Sequence, residues 1–117
     1  MKIAFDFDET LTAYPEFFTE LSKKFPCYVI TTRAEREKEE IVAFLKKHKI
    51  KVKKIICASN ETQEKIKTLL HNYPLFASNH KTKALKKEKI DVFFEDDFRL
   101  ILKMKKKLPK VMLCSIL

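Results

Sequence analysis

The chain has 117 residues, of which 45% are hydrophobic and 11% aromatic, so it is long enough for one domain with a packed core and too apolar to be disordered. Its net charge is +9, from 25 Lys and Arg residues against 16 Asp and Glu residues. Glycine is absent, which excludes the glycine-rich loops that hold phosphate groups in many nucleotide-binding proteins.

The sequence shows no sign of a membrane segment or a leader. No apolar run reaches the roughly 18 residues of a transmembrane helix. The N-terminus lacks a basic stretch followed by an apolar one, so we expect no signal peptide. Cys27, Cys57 and Cys114 lie far apart in apolar runs, and we expect buried free thiols. These features favour a cytoplasmic protein without a membrane partner.

Apolar strands and amphipathic helices alternate along the chain. In the first half the predicted elements are a strand at 2–6, a helix at 15–25, a strand at 27–31, a helix at 35–48 and a strand at 54–58. In the second half they are a helix from Asn60 to about His71, a short helix at 81–89, a strand at 91–94, a helix around 100–104 and a strand at 110–114.

The helix that begins at Asn60 carries the most detailed expectations. Asn60 is a candidate N-cap. Ile66, Leu69 and Leu70 recur at a spacing that predicts an inward face, and Pro74 is expected to end the helical stretch.

The strands are apolar on both faces, which is typical of a parallel sheet covered by helices on each side. We therefore expect an α/β fold, a three-layer α/β/α doubly wound Rossmann-like sheet of about five strands. It would form a single domain over residues 1–117, with a short helical insertion at about 59–80.

Polar residues follow four of the predicted strands. They are Asp6 and Asp8; Thr31, Thr32 and Arg33; Ser59 and Asn60; and Glu95, Asp96 and Asp97. Because ligands bind at the carboxyl ends of strands in such sheets, these residues form a candidate site.

The Asp6-Phe7-Asp8 segment is the most informative part of this set. Successive strand residues alternate in direction, so both carboxylates point the same way if the chain stays extended. Their repulsion favours a bound cation or a raised pKa on one of them. Carboxylates suit Mg²⁺, and an acid from 95–97 would complete its ligands. Thr31 offers a hydroxyl and an amide for a phosphoryl group, but a lysine is still required.

Four segments in order resemble the motifs of haloacid-dehalogenase-like (HAD-like) phosphohydrolases. Residues 5–10 resemble the first motif, Asp-x-Asp-x-Thr/Val, and residues 29–33 resemble the second, an apolar strand ending in Thr or Ser. Lys81 resembles the third-motif lysine, and residues 90–96 lead into the acidic fourth motif. The resemblance covers nearly the whole chain.

This resemblance implies a Mg²⁺-dependent phosphatase. Asp6 would be the nucleophile that forms an aspartyl-phosphate, and Asp8 would protonate the leaving group and then activate water. Thr31 would hydrogen-bond the phosphate, and Lys81 would pair with Asp6. Mg²⁺ would be held by Asp6, the Asp8 carbonyl and Asp96. The substrate would be a phosphomonoester such as a nucleotide, a sugar phosphate or a phosphorylated polymer end.

Several alternatives remain open at these positions. Thr32 could replace Thr31 as the phosphate contact, and Lys83 could replace Lys81. Within 95–97, Asp97 could cap the next helix instead of binding metal. Arg33 could contact substrate or a loop. The histidines show no ligand spacing and receive no role.

The short insertion leaves no room for the cap domain that many HAD-like members carry. The resemblance then implies an open site that acts on macromolecules or is covered by a second subunit of a homo-oligomer. An alternative function also follows from the lysine runs at 46–54, 81–89 and 103–110. They favour a non-catalytic nucleic-acid-binding module with the same fold.

Overall fold

The computed structural model describes residues 1–116, so position 117 of the expected domain lies outside the described residues. Five strands form one parallel sheet in the order β3-β2-β1-β4-β5. They are β1 (Ile3–Phe5), β2 (Cys27–Ala34), β3 (Lys54–Ala58), β4 (Val92–Glu95) and β5 (Met112–Ser115). The helices are α1 (Pro15–Lys24), α2 (Lys38–Lys47), α3 (Asn60–Thr68), α4 (Tyr73–Lys87) and α5 (Phe98–Lys105).

Two apolar clusters cover the two faces of the sheet, as expected for three layers. On one face, Phe5 and Val29 pack with Phe18 of α1 and Ile41 of α2. Because β-α-β crossovers are right-handed, strands added in opposite directions from β1 send their helices to opposite faces.

The second cluster is formed by the helices of the other half of the chain. Ala4 and Ile30 pack there with Leu85 of α4 and Met104 of α5. The predicted fold class is therefore confirmed. No helix in residues 1–116 is long and apolar enough to cross a bilayer.

Several predicted helix boundaries are wrong. Pro74 does not end a helix: it lies in the first turn of α4, where its missing N–H costs nothing, so α4 begins eight residues before the expected start at 81. The predicted helix at 35–48 is divided into a 3-10 turn (Glu35–Glu37) and α2.

The expectations for α3 are corrected as well. Its N-cap is Ser59, whose Oγ accepts from the N–H of Thr62, and Asn60 is the first helical residue. The helix ends at Thr68 rather than near His71, and a 3-10 turn (Leu70–Asn72) follows. Leu69 and Leu70 are 40% and 70% exposed and do not face the core. Residues 59–80 thus hold α3, this turn and the first half of α4.

The cysteines in the described chain are free, as expected. Cys27 and Cys57 are buried and Cys114 is half-buried. Burial raises the pKa of the Cys27 thiol to about 11, so this thiol is poorly reactive at neutral pH.

Candidate active site

The site lies where the strand order reverses, between β1 and β4. Phe5 pairs with Phe94, so Asp6 and Glu95 come next on the two adjacent strands. The N–H of Asp6 donates to the carbonyl of Phe94 at 3.0 Å, which continues the ladder past β1. Ligands of doubly wound sheets bind in the crevice outside such a reversal point.

Lys81 approaches Asp6 and Glu95 from α4. Its Nζ lies 3.0 Å from Asp6 Oδ1 and 2.5 Å from Glu95 Oε1. Ala77, Lys81 and Leu85 follow one another at four-residue steps, so the lysine belongs to the helix stripe that packs on the sheet. Lys81 and Glu95 are each 1% exposed and Asp6 is 7% exposed. Of the two candidate lysines, Lys81 contacts Asp6, whereas Lys83 is exposed.

Burial dominates the electrostatics of this cluster. It raises the pKa of Asp6 well above its usual value; the charge of Lys81 opposes this rise and the charge of Glu95 adds to it. Burial also raises the pKa of Glu95, against the opposing effect of Lys81. Burial alone would lower the pKa of Lys81, but Asp6 and Glu95 hold it above its usual value. One ammonium thus faces two buried carboxyl groups.

A third carboxylate completes the cluster. One oxygen each from Asp6, Glu95 and Asp96 lie within 4.8 Å of one another. The buried Thr10 hydroxyl donates to Asp96 Oδ1 at 3.1 Å and holds this side chain. Three carboxylates and one ammonium leave two negative charges, which a divalent cation would balance, and such oxygen donors suit Mg²⁺.

Asp97 takes the alternative role considered for it. Its carboxylate accepts from the N–H of Arg99 at 3.0 Å and caps α5. Arg99 lowers the pKa of Asp97 through this pairing. The Asp97 carboxylate is therefore already hydrogen-bonded at the start of α5. The N–H of Asp97 donates to Glu95 Oε2 at 3.1 Å.

Asp8 lies outside this acidic cluster, although its backbone remains extended. Its carboxylate accepts from Nε and Nη2 of Arg33 at 2.9 and 2.8 Å. These hydrogen bonds raise the pKa of Arg33. Arg33 also pairs with Glu40 at 2.8 Å and lies over the Phe7 ring. The two carboxylates of the Asp6-Phe7-Asp8 segment thus have different partners.

The chain turns sharply after Asp8. Glu9 has φ 63°, in the left-handed region that glycine adopts most easily. The N–H of Glu9 donates to Thr12 Oγ1 at 3.0 Å, which stabilises this turn. The turn returns Thr10 to the sheet edge, where it contacts Asp96.

Thr31 lies inside β2, next to β1, and is 1% exposed; the strand continues to Ala34 instead of ending at residue 31 as predicted. Its Oγ1 accepts from the N–H of Arg33 at 3.1 Å. Its carbonyl can only accept, so the Nε2 of His80 donates to it at 2.8 Å. Burial lowers the pKa of His80, which favours the neutral imidazole.

Thr32 is held by the helices instead. Its carbonyl accepts from Nε2 of Gln63, and its side chain hydrogen-bonds Tyr73. Burial raises the pKa of the Tyr73 hydroxyl, and this hydrogen bond partly opposes the rise. These contacts leave Thr31 as the stronger candidate for a phosphate contact.

The structure adds two residues to the sequence-based set, Thr10 as the support of Asp96 and His80 as the support of Thr31, and it makes Glu95, already a candidate, the second partner of Lys81. Glu95 could be singled out from the sequence, because it directly follows the strand predicted at 91–94. The contact of His80 depends on the start of α4 at Tyr73, whereas the sequence predicts a helix only from residue 81.

A comparison with protein-family models finds no match for this chain. Likewise, no curated protein and no solved structure matches it.

Proposed function

We propose that this protein is a HAD-like, Mg²⁺-dependent phosphatase that hydrolyses a phosphomonoester through an aspartyl-phosphate on Asp6. The observation that carries the proposal is the contact of Asp6 with Lys81 at 3.0 Å, inside a cluster with Glu95 and Asp96. A nucleophile, a cation and metal-ligand oxygens are the parts that phosphoryl transfer requires.

Each residue has a role in this chemistry. An oxygen of the Asp6 carboxylate attacks phosphorus, and the bond from phosphorus to the leaving oxygen breaks. Lys81 balances the charge of Asp6 and of the phosphoryl oxygens. Thr31 donates its hydroxyl to one of those oxygens. Mg²⁺, held by Asp6, Asp96 and the Asp8 carbonyl, would neutralise the phosphate charge.

Asp8 transfers the protons. As an acid it gives its proton to the leaving oxygen; as a carboxylate it then takes a proton from the water that attacks phosphorus, and the bond from Asp6 to phosphorus breaks. To do this, Asp8 must release one of its two hydrogen bonds to Arg33. Arg33 thereby positions the acid/base rather than contacting phosphate.

Hydrolysis of a generic aryl phosphate tests this function. The wild-type protein should release phosphate only with Mg²⁺, and Asp6→Asn should lower kcat by at least about 10³-fold, since the carboxylate nucleophile is lost. The exposed Asp91→Asn serves as the matched control and should leave the rate unchanged. An Asp6→Asn protein with full activity would contradict the proposal.

A second candidate is a nucleic-acid-binding module, because of where the lysines lie. Every helix has lysines in its last turn: Lys23 and Lys24, Lys46 and Lys47, Lys65 and Lys67, Lys86 and Lys87, Lys103 and Lys105. The last turns of α1, α2, α4 and α5 each precede a strand, so they gather at the edge where strands begin, opposite the acidic site; α3 leads into α4 instead.

This alternative predicts salt-dependent binding of a labelled oligonucleotide, measured by fluorescence anisotropy. The affinity should fall steeply with added salt and should survive the double change Asp6→Asn, Asp8→Asn. The absence of any binding at low salt would remove this candidate.

A further inference from the structure

A cavity lies between α3, α4 and the edge strand β3. Its volume is about 770 Å³, within the range of sites for small organic ligands. None of Asp6, Asp8, Thr31, Lys81 and Asp96 lines it. The cavity is therefore separate from the acidic cluster.

The charges around the cavity favour an anion. Lys65, Lys83, Lys86 and Lys87 line it, and the single acid among the lining residues, Glu61, is already paired with Lys65 at 3.2 Å. Lys83, Lys86 and Lys87 lie three and four residues apart and so share one face of α4. These three ammonium groups have no ion-pair partner among residues 1–116, and together they suit a ligand with several negative charges.

Another part of the cavity lining is apolar. Ile56 and Cys57 of β3 and Ala84 of α4 contribute to it. The ring of Phe76 is half-buried, and Lys65 Nζ lies 5.9 Å from its centroid. An apolar wall with an aromatic ring favours a ligand that has a flat, weakly polar part besides its charges.

A buried hydroxyl gives independent support. Thr82 lines the cavity and is 6% exposed, and its Oγ1 has no hydrogen-bond partner in residues 1–116. Leaving such a group unpaired is unfavourable, and buried polar atoms usually have a partner. Since this oxygen has almost no exposed surface, the Thr82 side chain would rotate about its Cα–Cβ bond to give the hydroxyl a partner on a ligand in this cavity.

We propose that this cavity binds a nucleoside polyphosphate, with its phosphates against Lys83, Lys86 and Lys87 and its base beside Phe76. A mononucleotide has the size of the cavity, several negative charges at one end and a flat ring at the other. The proposal concerns a second site and does not depend on the phosphatase activity.

Equilibrium dialysis with ATP, in EDTA so that no cation links it to the acidic cluster, tests the proposal. Lys86→Ala with Lys87→Ala should weaken binding roughly tenfold, as expected when charge-assisted hydrogen bonds are lost. The matched control is Lys103→Ala with Lys105→Ala, which removes the same charge from the last turn of α5 and should change the affinity less than about twofold. Asp6→Asn should bind ATP as the wild type does.

Thr82→Val separates binding from folding. It should weaken ATP binding several-fold without lowering the thermal midpoint, because a methyl group replaces an unpartnered hydroxyl of similar size. The proposal is overturned by an absence of saturable ATP binding or by equal weakening in the two lysine pairs. A loss of binding in Asp6→Asn, or tripolyphosphate binding as tightly as ATP, would also overturn it.

Discussion

Lys81 is the only charged side chain among the buried residues of α4. A buried ammonium without a partner would be strongly unfavourable, so its position requires a buried acid nearby. It has two, Asp6 and Glu95. One ammonium group therefore pairs with two carboxyl groups. The surplus negative charge favours the binding of a proton or a cation by the cluster.

This surplus predicts how stability depends on pH without metal. The pKa of Asp6 is raised in the folded protein, so above the ordinary carboxyl value of about 4 the folded state binds more protons than the unfolded state. The free energy of unfolding in EDTA should therefore fall as pH rises from about 4 to the raised folded-state pKa. Urea unfolding at a series of pH values measures this dependence.

Asp6→Asn is the control for this dependence, because it removes the surplus negative charge and leaves the ion pair between Lys81 and Glu95 in place. Its free energy of unfolding should change less with pH over the same interval. An equal slope in the wild type and the variant would contradict the assignment of the effect to Asp6.

Some contacts of the candidate site could be predicted from the sequence, and others could not. Asp6, Lys81 and Asp96 were predicted and lie together, because motif order and spacing determine which strand end or helix face carries each. The partner of Asp8 was not predicted, since Arg33 could reach either substrate or a loop. The role of Glu95 depends on strand register, which three consecutive acids do not reveal.

At the scale of elements, helix ends were the hardest to predict. Pro74 is compatible with the end of one helix and with the first turn of the next, and a single sequence does not distinguish them. Leu69 and Leu70 continue the helical spacing of Ile66, yet α3 has already ended there. The strands were predicted within two or three residues because each contains an apolar run, buried in β1, β2 and β4 and partly exposed in the edge strands β3 and β5.

At the ends of α2 and α4, a lysine adopts the left-handed backbone conformation that glycine usually adopts, since this chain has no glycine. Lys49 and Lys89 follow the two helices with φ of 57° and 56°. The N–H groups of Ile50 and Ile90 donate to the carbonyls of Leu45 and Leu85 at 2.9 and 3.0 Å. This is the Schellman pattern, in which glycine usually occupies the left-handed position.

Replacing either lysine with glycine should therefore stabilise the protein. Lys49→Gly and Lys89→Gly should each raise the free energy of unfolding by about 1 kcal/mol, since the steric cost of the left-handed conformation disappears. Chemical unfolding measures the change. The control is Ala43→Gly, at an exposed position inside α2, which should lower stability by about 1 kcal/mol. Destabilisation by all three changes would contradict this account of the helix ends.

At the scale of the whole molecule, the parallel sheet separates the charges. Strand ends gather the acids at one edge, and the last turns of α1, α2, α4 and α5 gather lysines at the other, where they complement the helix dipoles. The high net charge is thus concentrated away from the acidic cluster. The fold class was predictable because every strand is an apolar run; the sheet order, which brings Asp6 beside Glu95, was not part of the prediction.

Trapping the covalent intermediate tests the central claim that Asp6 is the nucleophile. Asp8→Asn should still accept phosphate from an aryl ester, whose leaving group needs little protonation, but should hydrolyse the intermediate slowly. Acid quenching of a single turnover with labelled substrate and Mg²⁺ should give a hydroxylamine-sensitive phosphate on the peptide that contains Asp6. The double variant with Asp6→Asn should show none. Normal product release with no phosphate on Asp6, or phosphate on another residue, would contradict the account.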